Sequence, residues 1–165
     1  MDALWEMERV PYGLRRRRDL RSLIELYESN YLRFLRLAPA LHRIEEAAIS
    51  RVAGALDLHL VILERSKYTT TVSLSYHFVD ERHFDAEPNA QIRVYHDVHA
   101  VELLSHWRRR HGRGMYRRRS GYMPELNRRW TMNRFLYKWL RFCTHQGHLF
   151  LGDTAHSEMR GASDS

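Results

Sequence analysis

The stretch that decides the fold is Leu56-Asp-Leu-His-Leu-Val-Ile-Leu-Glu-Arg65, followed by Ser66-Lys67 and Tyr68-Thr-Thr-Thr-Val-Ser-Leu-Ser-Tyr76. Leu56, Leu58, Leu60 and Ile62 alternate with Asp57, His59 and Val61, the period of two that marks a half-buried strand. Tyr68 to Tyr76 is rich in β-branched and aromatic residues, which suit a pleated surface. The short link Ser66-Lys67 makes the pair an antiparallel hairpin.

Working outward, Gln91 to Tyr95 reads as a third strand. His96-Asp97 then turns or bulges the chain, and Val98 to Leu104 continues as strand or begins a helical turn. Residues 80–90 are polar, carry Pro88-Asn89 and read as a loop. Residues 42–53 are ambiguous: Glu45 to Ala48 favours helix, Ile49 to Ala53 alternates weakly, and Gly54 marks a turn.

Helical spacing appears at both ends. Leu20, Leu23, Ile24, Tyr27, Tyr31, Phe34 and Leu35 follow the candidate N-cap Asp19, and Pro39 stops the pattern, so a helix is expected over about 19–37. Met132, Phe135, Leu136, Trp139, Leu140 and Cys143 form a second apolar stripe. Thr131 or Asn127 is its expected cap, and Gly147 suits the position just past its end. The fold class expected is α+β: an antiparallel sheet of three to five strands packed against N- and C-terminal helices in two layers. Residues 1–18 read as an irregular basic lead-in, 19–152 as a single domain and 153–165 as a disordered tail.

The chain has 165 residues, enough for one domain with a real core. Its single cysteine, Cys143, excludes an intrachain disulfide. No apolar run reaches the roughly 18 residues of a membrane helix, and Met1 to Val10 lacks an apolar signal core, so a cytoplasmic location away from membranes is expected.

Charge is polarised. The net is +7, but residues 103–152 alone carry +11, whereas residues 1–102 and the last 13 residues each carry −2. Seven Arg lie between 108 and 119, namely Arg108, Arg109, Arg110, Arg113, Arg117, Arg118 and Arg119, interleaved with Trp107, Tyr116 and Tyr122. Arg forks grip phosphates and aromatic faces stack bases, so RNA or a phosphorylated ligand is the expected partner. Tyr116, Arg128 and Arg129 are grouped with those seven as ligand-binding candidates, and Arg134 extends the basic face. An acidic protein partner fits the same charge. So does a bland alternative: 25 Arg against two Lys is also what GC-rich codon usage produces.

Four ordered motifs resemble a known family. Glu28-Ser-Asn-Tyr31 with Leu35 and Pro39 comes first, then Glu64 with Tyr68-Thr-Thr-Thr71. The third and most specific is Arg93-Val-Tyr-His-Asp97 with Ala100-Val-Glu102. The fourth is Asn133-Arg-Phe-Leu136 with Trp139-Leu140, Cys143 and Gly147. Together they resemble the YqiB-like bacterial family, an uncharacterised domain of unknown function. The resemblance implies a small bacterial cytoplasmic protein, implies no activity, and favours a strand over residues 48–53. The family usually carries Tyr-Pro-Asn and then Asp-Glu-Lys before the last helix. Here the turn reads Gly121-Tyr122-Met123-Pro124, and Asn127 and Arg128 replace the acidic pair. That departure weakens any acidic metal site.

The runner-up reading is an enzyme. His96, Asp97, His99 and Glu102 lie within seven residues and are of types that bind metals or move protons. On one continuous strand, His96 and Glu102 would share a face. Glu64, Tyr68 and Tyr95 could join across the sheet. The competing structural reading is a hydrogen-bonded turn in which Asp97 accepts backbone amides or an Arg, and no metal or cofactor is expected. Cys143, on an apolar helix face, reads as a buried inert thiol.

Overall fold

The computed structural model describes residues 18–80, 83–107 and 124–152. The expectations for the lead-in, the tail and the stretch holding Arg108, Arg109, Arg110, Arg113, Tyr116, Arg117, Arg118 and Arg119 lie outside those residues. In chain order the elements are α1 (Leu20–Leu37), a single 3-10 turn (Leu41–Arg43), β1 (Ala47–Ser50), β2 (Leu58–Arg65), β3 (Thr69–Asp80), β4 (His83–Tyr95), β5 (Ala100–Trp107) and α2 (Glu125–His145). The five strands form one sheet in sequence order, every neighbouring pair antiparallel. The α+β expectation therefore holds.

Helix α1 starts where the chain can satisfy its first amides. The Asp19 carboxylate accepts the Ser22 N–H at 2.8 Å, and Ser22 Oγ accepts the Asp19 N–H at 3.2 Å. This reciprocal capping box satisfies two otherwise orphan donors. Pro39 ends the helix by pushing Ala38 out of the helical region, to φ −130°. Helix α2 begins six residues before Thr131, at Glu125, with Pro124 at the cap position and no side-chain cap. Thr131 and Asn127 are thus inside the helix, correcting the expected start. Its far end closes as expected: Gly147, at φ +93°, lets its own N–H reach Thr144 O and the His148 N–H reach Cys143 O, each at 3.1 Å.

Two other expectations change. Residues 80–90 are mostly strand, not loop, because β3 and β4 extend into one long hairpin. Pro88, which has no N–H to donate, falls at a register shift between the pairs Ser75–Asn89 and His77–Ala86, a place where a ladder tolerates proline. In the ambiguous stretch 42–53, residues 47–50 are strand, although the expected strand ran on to Ala53.

One face of the sheet carries Ala48, Leu58, Leu60, Val72, Leu74, Ala90, Ile92, Val94, Val101 and Leu103, all buried against Phe34 and Leu37 of α1 and Leu136, Trp139, Leu140 and Cys143 of α2. Each large apolar side chain so buried contributes about 1.5–3 kcal/mol. A smaller cluster of Leu23, Leu26, Trp130 and Tyr137 joins the helices to each other, with Tyr27 packed beside it. Ser22 contacts Trp130, Asn30 contacts Asn133 and Arg33 contacts Tyr137, so α1 and α2 run parallel. Arg65 fastens the 3-10 turn by donating to Leu41, His42 and Ile44 carbonyls at 2.9–3.3 Å. Among the described residues, no helix is long and apolar enough to cross a membrane.

Candidate functional site

The Tyr-His-Asp motif sits at the β4–β5 turn, and the turn decides which of its residues can cooperate. Tyr95 pairs with Ala100 and Arg93 pairs with Glu102, so four turn residues separate the strands. Odd-numbered residues of β4 therefore share a face with even-numbered residues of β5. Glu102 lies with Arg93 and Tyr95 on the face opposite the apolar core residues Val94, Val101 and Leu103, while His96 follows Val94 toward the core side. The expected common face for His96 and Glu102 assumed an unbroken strand and is corrected here.

His96 Nε2 lies 2.8 Å from Thr70 Oγ1, and its backbone N–H donates to Tyr68 O at 2.8 Å. Burial holds its pKa below the usual histidine value, the nearby Arg65 charge lowers it further, and Asp97 opposes them. Asp97 itself is exposed, and among the described residues no hydrogen bond reaches its carboxylate. It does not accept the amides or Arg donors expected of it. A carboxylate at the tip of a four-residue turn points to water, and its one evident electrostatic neighbour is His96. His99 takes a left-handed φ of +52° to close the turn, and its ring lies 5.1 Å from that of Tyr31 in α1. Tyr68 is exposed beneath the Lys67 ammonium, 5.0 Å from its ring centre. His96, Asp97, His99 and Tyr68 are therefore dispersed. Among the described residues, no three His, Cys, Asp or Glu side chains are placed to hold a metal ion.

What the sheet does bring together is a charged row across its outer face. Glu64 pairs with Thr71, Thr71 with Arg93, and Arg93 with Glu102, across four strands. Arg93 donates through Nε to Thr71 Oγ1 at 3.2 Å, and its Nη2 lies 4.0 Å from Glu64. Tyr95 donates its hydroxyl to Glu102 Oε1 at 2.5 Å. From α2, Arg129 Nη1 comes within 3.8 Å of Glu102 Oε2 and its Nε bonds Glu125 at 2.8 Å. Arg128 bonds Glu125 as well, at 3.0 and 3.1 Å. The two guanidiniums pull the Glu125 carboxyl down to about 2. Burial raises the Tyr95 hydroxyl pKa, reinforced by Glu102 and opposed by Arg93. Burial also raises Tyr27, likewise reinforced by Glu102 and opposed by Arg129. Acid and base alternate along this row, so it is charge-compensated. Sequence reasoning missed Tyr27, Thr71 and Arg93 here. The Arg93/Tyr95 spacing along β4 was a usable signal, but α1 and α2 gave none.

Arg128 and Arg129, expected on the basic face, are thus turned to carboxylates. The uncompensated charge lies farther along the helices. Arg134, Lys138 and Arg141 recur at i, i+4 and i+7 on one stripe of α2. Arg33 and Arg36 stand on α1, and Arg33 meets α2 by stacking 4.0 Å over the Tyr137 ring and donating to its hydroxyl. Among the described residues, no carboxylate lies within ion-pair distance of any of these five cations. Arg134 and Arg18 lie 5.6 and 5.1 Å from the Trp130 ring centre, and the indole donates to Ser22 Oγ at 3.1 Å.

The thiol of Cys143 is buried and pushed up to about 12, chiefly by burial, with the Tyr76 hydroxyl 3.6 Å from Sγ. It is no nucleophile at neutral pH.

Residues 33–149 match a family described as "Protein of unknown function (DUF1249)". The chain is 26% identical over 129 residues to the "Uncharacterized protein YqiB" of Escherichia coli strain K12, covering 78% of this chain and 91% of that protein. The same values hold for the protein of that name in Escherichia coli O157:H7. No solved structure gives a significant match. The matched span takes in β1 to β5, α2 and the turn that carries Tyr95 to Asp97, and on this evidence the chain belongs to the family of unknown function DUF1249.

Proposed function

We propose that this is a non-enzymatic, cytoplasmic binding protein for RNA, whose phosphates dock on the exposed face of α1 and α2. The observation that carries the reading is the contrast in charge pairing. Arg93, Arg128 and Arg129 are each matched by a carboxylate, whereas among the described residues no carboxylate pairs with Arg33, Arg36, Arg134, Lys138 or Arg141. Unpaired cations gathered on two adjacent helices attract a polyanion by counterion release. Arg108–Arg119 would add to the same field. Among the described residues His96 and Asp97 stand apart from Glu102, which supports the binding reading over the acid–base one.

Fluorescence anisotropy of a labelled single-stranded RNA across a salt series tests this. Five phosphate contacts would give a log–log slope near −3.5, at about −0.7 per contact. Charge reversal at Arg117, Arg118 and Arg119 would flatten the slope further if that stretch takes part. Absence of saturable binding at low salt overturns the reading and leaves an acidic protein partner ahead.

A further inference from the structure

We infer that the solvent-facing stripe of α1 is a docking surface for a second copy of this chain, which pairs α1 with α1 antiparallel about a two-fold axis. This stripe is distinct from the five cations proposed to meet RNA, and neither reading depends on the other. Helix α1 turns Leu23, Leu26, Phe34 and Leu37 into the core. Its apolar residues exceed what that face needs: Leu20, Ile24 and Leu32 are 64%, 48% and 62% exposed. Single exposed apolar side chains are ordinary. These three, however, fall with Glu28 in one i, i+4 row, the spacing that brings side chains together along a helix. An aligned apolar row bordered by charge is what interfaces between proteins present. The charges indicate the occupant. Arg21 and Glu28 are exposed on this side of α1, and among the described residues neither is within ion-pair distance of an opposite charge. The row therefore carries its own complement, as a two-fold interface requires, where each residue meets on the partner the residue that meets it in return. With the axis midway between Ile24 and Glu28, Leu20 comes level with the partner's Leu32 and Ile24 with the methylenes of the partner's Glu28. Arg21 is then offset from the partner's Glu28 by three residues, about 4.5 Å along the helix, within reach of an arginine side chain. Symmetry forms both Arg21–Glu28 pairs at once.

Sedimentation velocity of the full chain across a dilution series tests this. Three apolar side chains per copy make a small interface, so the dimer is expected to be weak. The mass should rise from monomer to dimer with concentration and no further, because a two-fold pairing closes. Ile24→Lys should remove the dimer. Arg21→Glu or Glu28→Arg alone should each weaken it about tenfold, since symmetry doubles the loss of a surface pair and sets like charges opposite. R21E/E28R restores both pairs with their signs exchanged and should return the dimer to near the wild-type level. Circular dichroism checks that each variant folds, and Leu32→Lys replaces Ile24→Lys if that variant does not. A monomer at every concentration up to about 1 mM, the weak end of specific association, overturns the inference. So does a dimer that the lysine variant leaves unchanged, a mass beyond the dimer, or a double reversal no better than the single ones. RNA binding is read separately by anisotropy, so either reading can fail while the other stands.

Discussion

The side-chain carbonyl of Asn133 accepts the backbone N–H of Leu103 at 2.8 Å. Leu103 is on β5, the last strand of the sheet in sequence order, whose outer edge has no neighbouring strand among the described residues. Asn133 takes the place of that strand at one position. Its amide nitrogen donates to Arg129 O at 2.9 Å, and its own backbone carbonyl accepts from Asn30 at 3.1 Å. One buried residue therefore ties α2 to both the sheet edge and α1.

Asn133→Ala should strand the Leu103 N–H, while the Asn30 bond, made to the backbone carbonyl of residue 133, is kept. A buried donor left unsatisfied costs about 1–3 kcal/mol. Urea denaturation should show the midpoint falling accordingly, with Asn133→Asp intermediate because it keeps an acceptor. An unchanged midpoint for the alanine variant would mean that water or a shifted helix replaces the bond.

Trp139→Ala should be costlier. The indole packs against Phe135 at 6.1 Å and Tyr76 at 6.3 Å between ring centres, within the main core. Large-to-small changes of this kind cost about 3–5 kcal/mol. A melting temperature within a degree or two of wild type would contradict the packing of α2 on the sheet.

Stability should fall as pH drops below about 6.5, the ordinary histidine value. His148 is 2% exposed; its Nδ1 lies 2.9 Å from Ser50 Oγ, and among the described residues its Nε2 has no partner. Burial lowers its folded pKa, as it does for His96. The unfolded chain then binds protons that the folded one refuses, so the contribution is complete above about 6.5 and is lost as pH falls toward the depressed folded value. Chemical denaturation at pH 7.5 and pH 5 should show this loss, and His148→Gln should reduce it. Equal stability of wild type at the two pH values would refute the assignment.

The two ends of the charged row should differ. Glu102 has a side chain only 15% exposed and holds Tyr95 and Arg129, whereas Glu64 is 67% exposed and stands 4.0 Å from Arg93. Hydrogen bonds to a partly buried charge contribute about 1.5–3 kcal/mol, and surface ion pairs about 0–1 kcal/mol. Glu102→Ala should therefore destabilise clearly and Glu64→Ala barely. Parity between the two variants in a denaturant titration would show that the row is solvated throughout.

Much of the secondary structure was written locally. Alternation over Leu58–Ile62, the capping residue Asp19 with Pro39 as the stop, and the stripe from Met132 to Cys143 each repeat with the period of their own element. Each therefore identifies its strand or helix without reference to the rest of the chain. Four ordered motifs likewise identified the family from residues alone. The site was not legible in this way. Whether Glu102 faces His96 or Tyr95 depends on the number of residues in the β4–β5 turn, because each residue inserted there exchanges the faces of the following strand. The motif predicts Asp97 in a turn, where it lies, but among the described residues it lacks the hydrogen bonds expected of it, since partners are a property of what folds back onto a turn. Arg128 and Arg129 counted as basic face by composition, yet their neighbours Glu125 and Glu102 neutralise them. The uncompensated cations became visible only once α1 and α2 lay side by side. Sequence periodicity determines which face of an element is apolar; the distances at which charges cancel are set by elements far apart in the chain, and only the tertiary structure decides them.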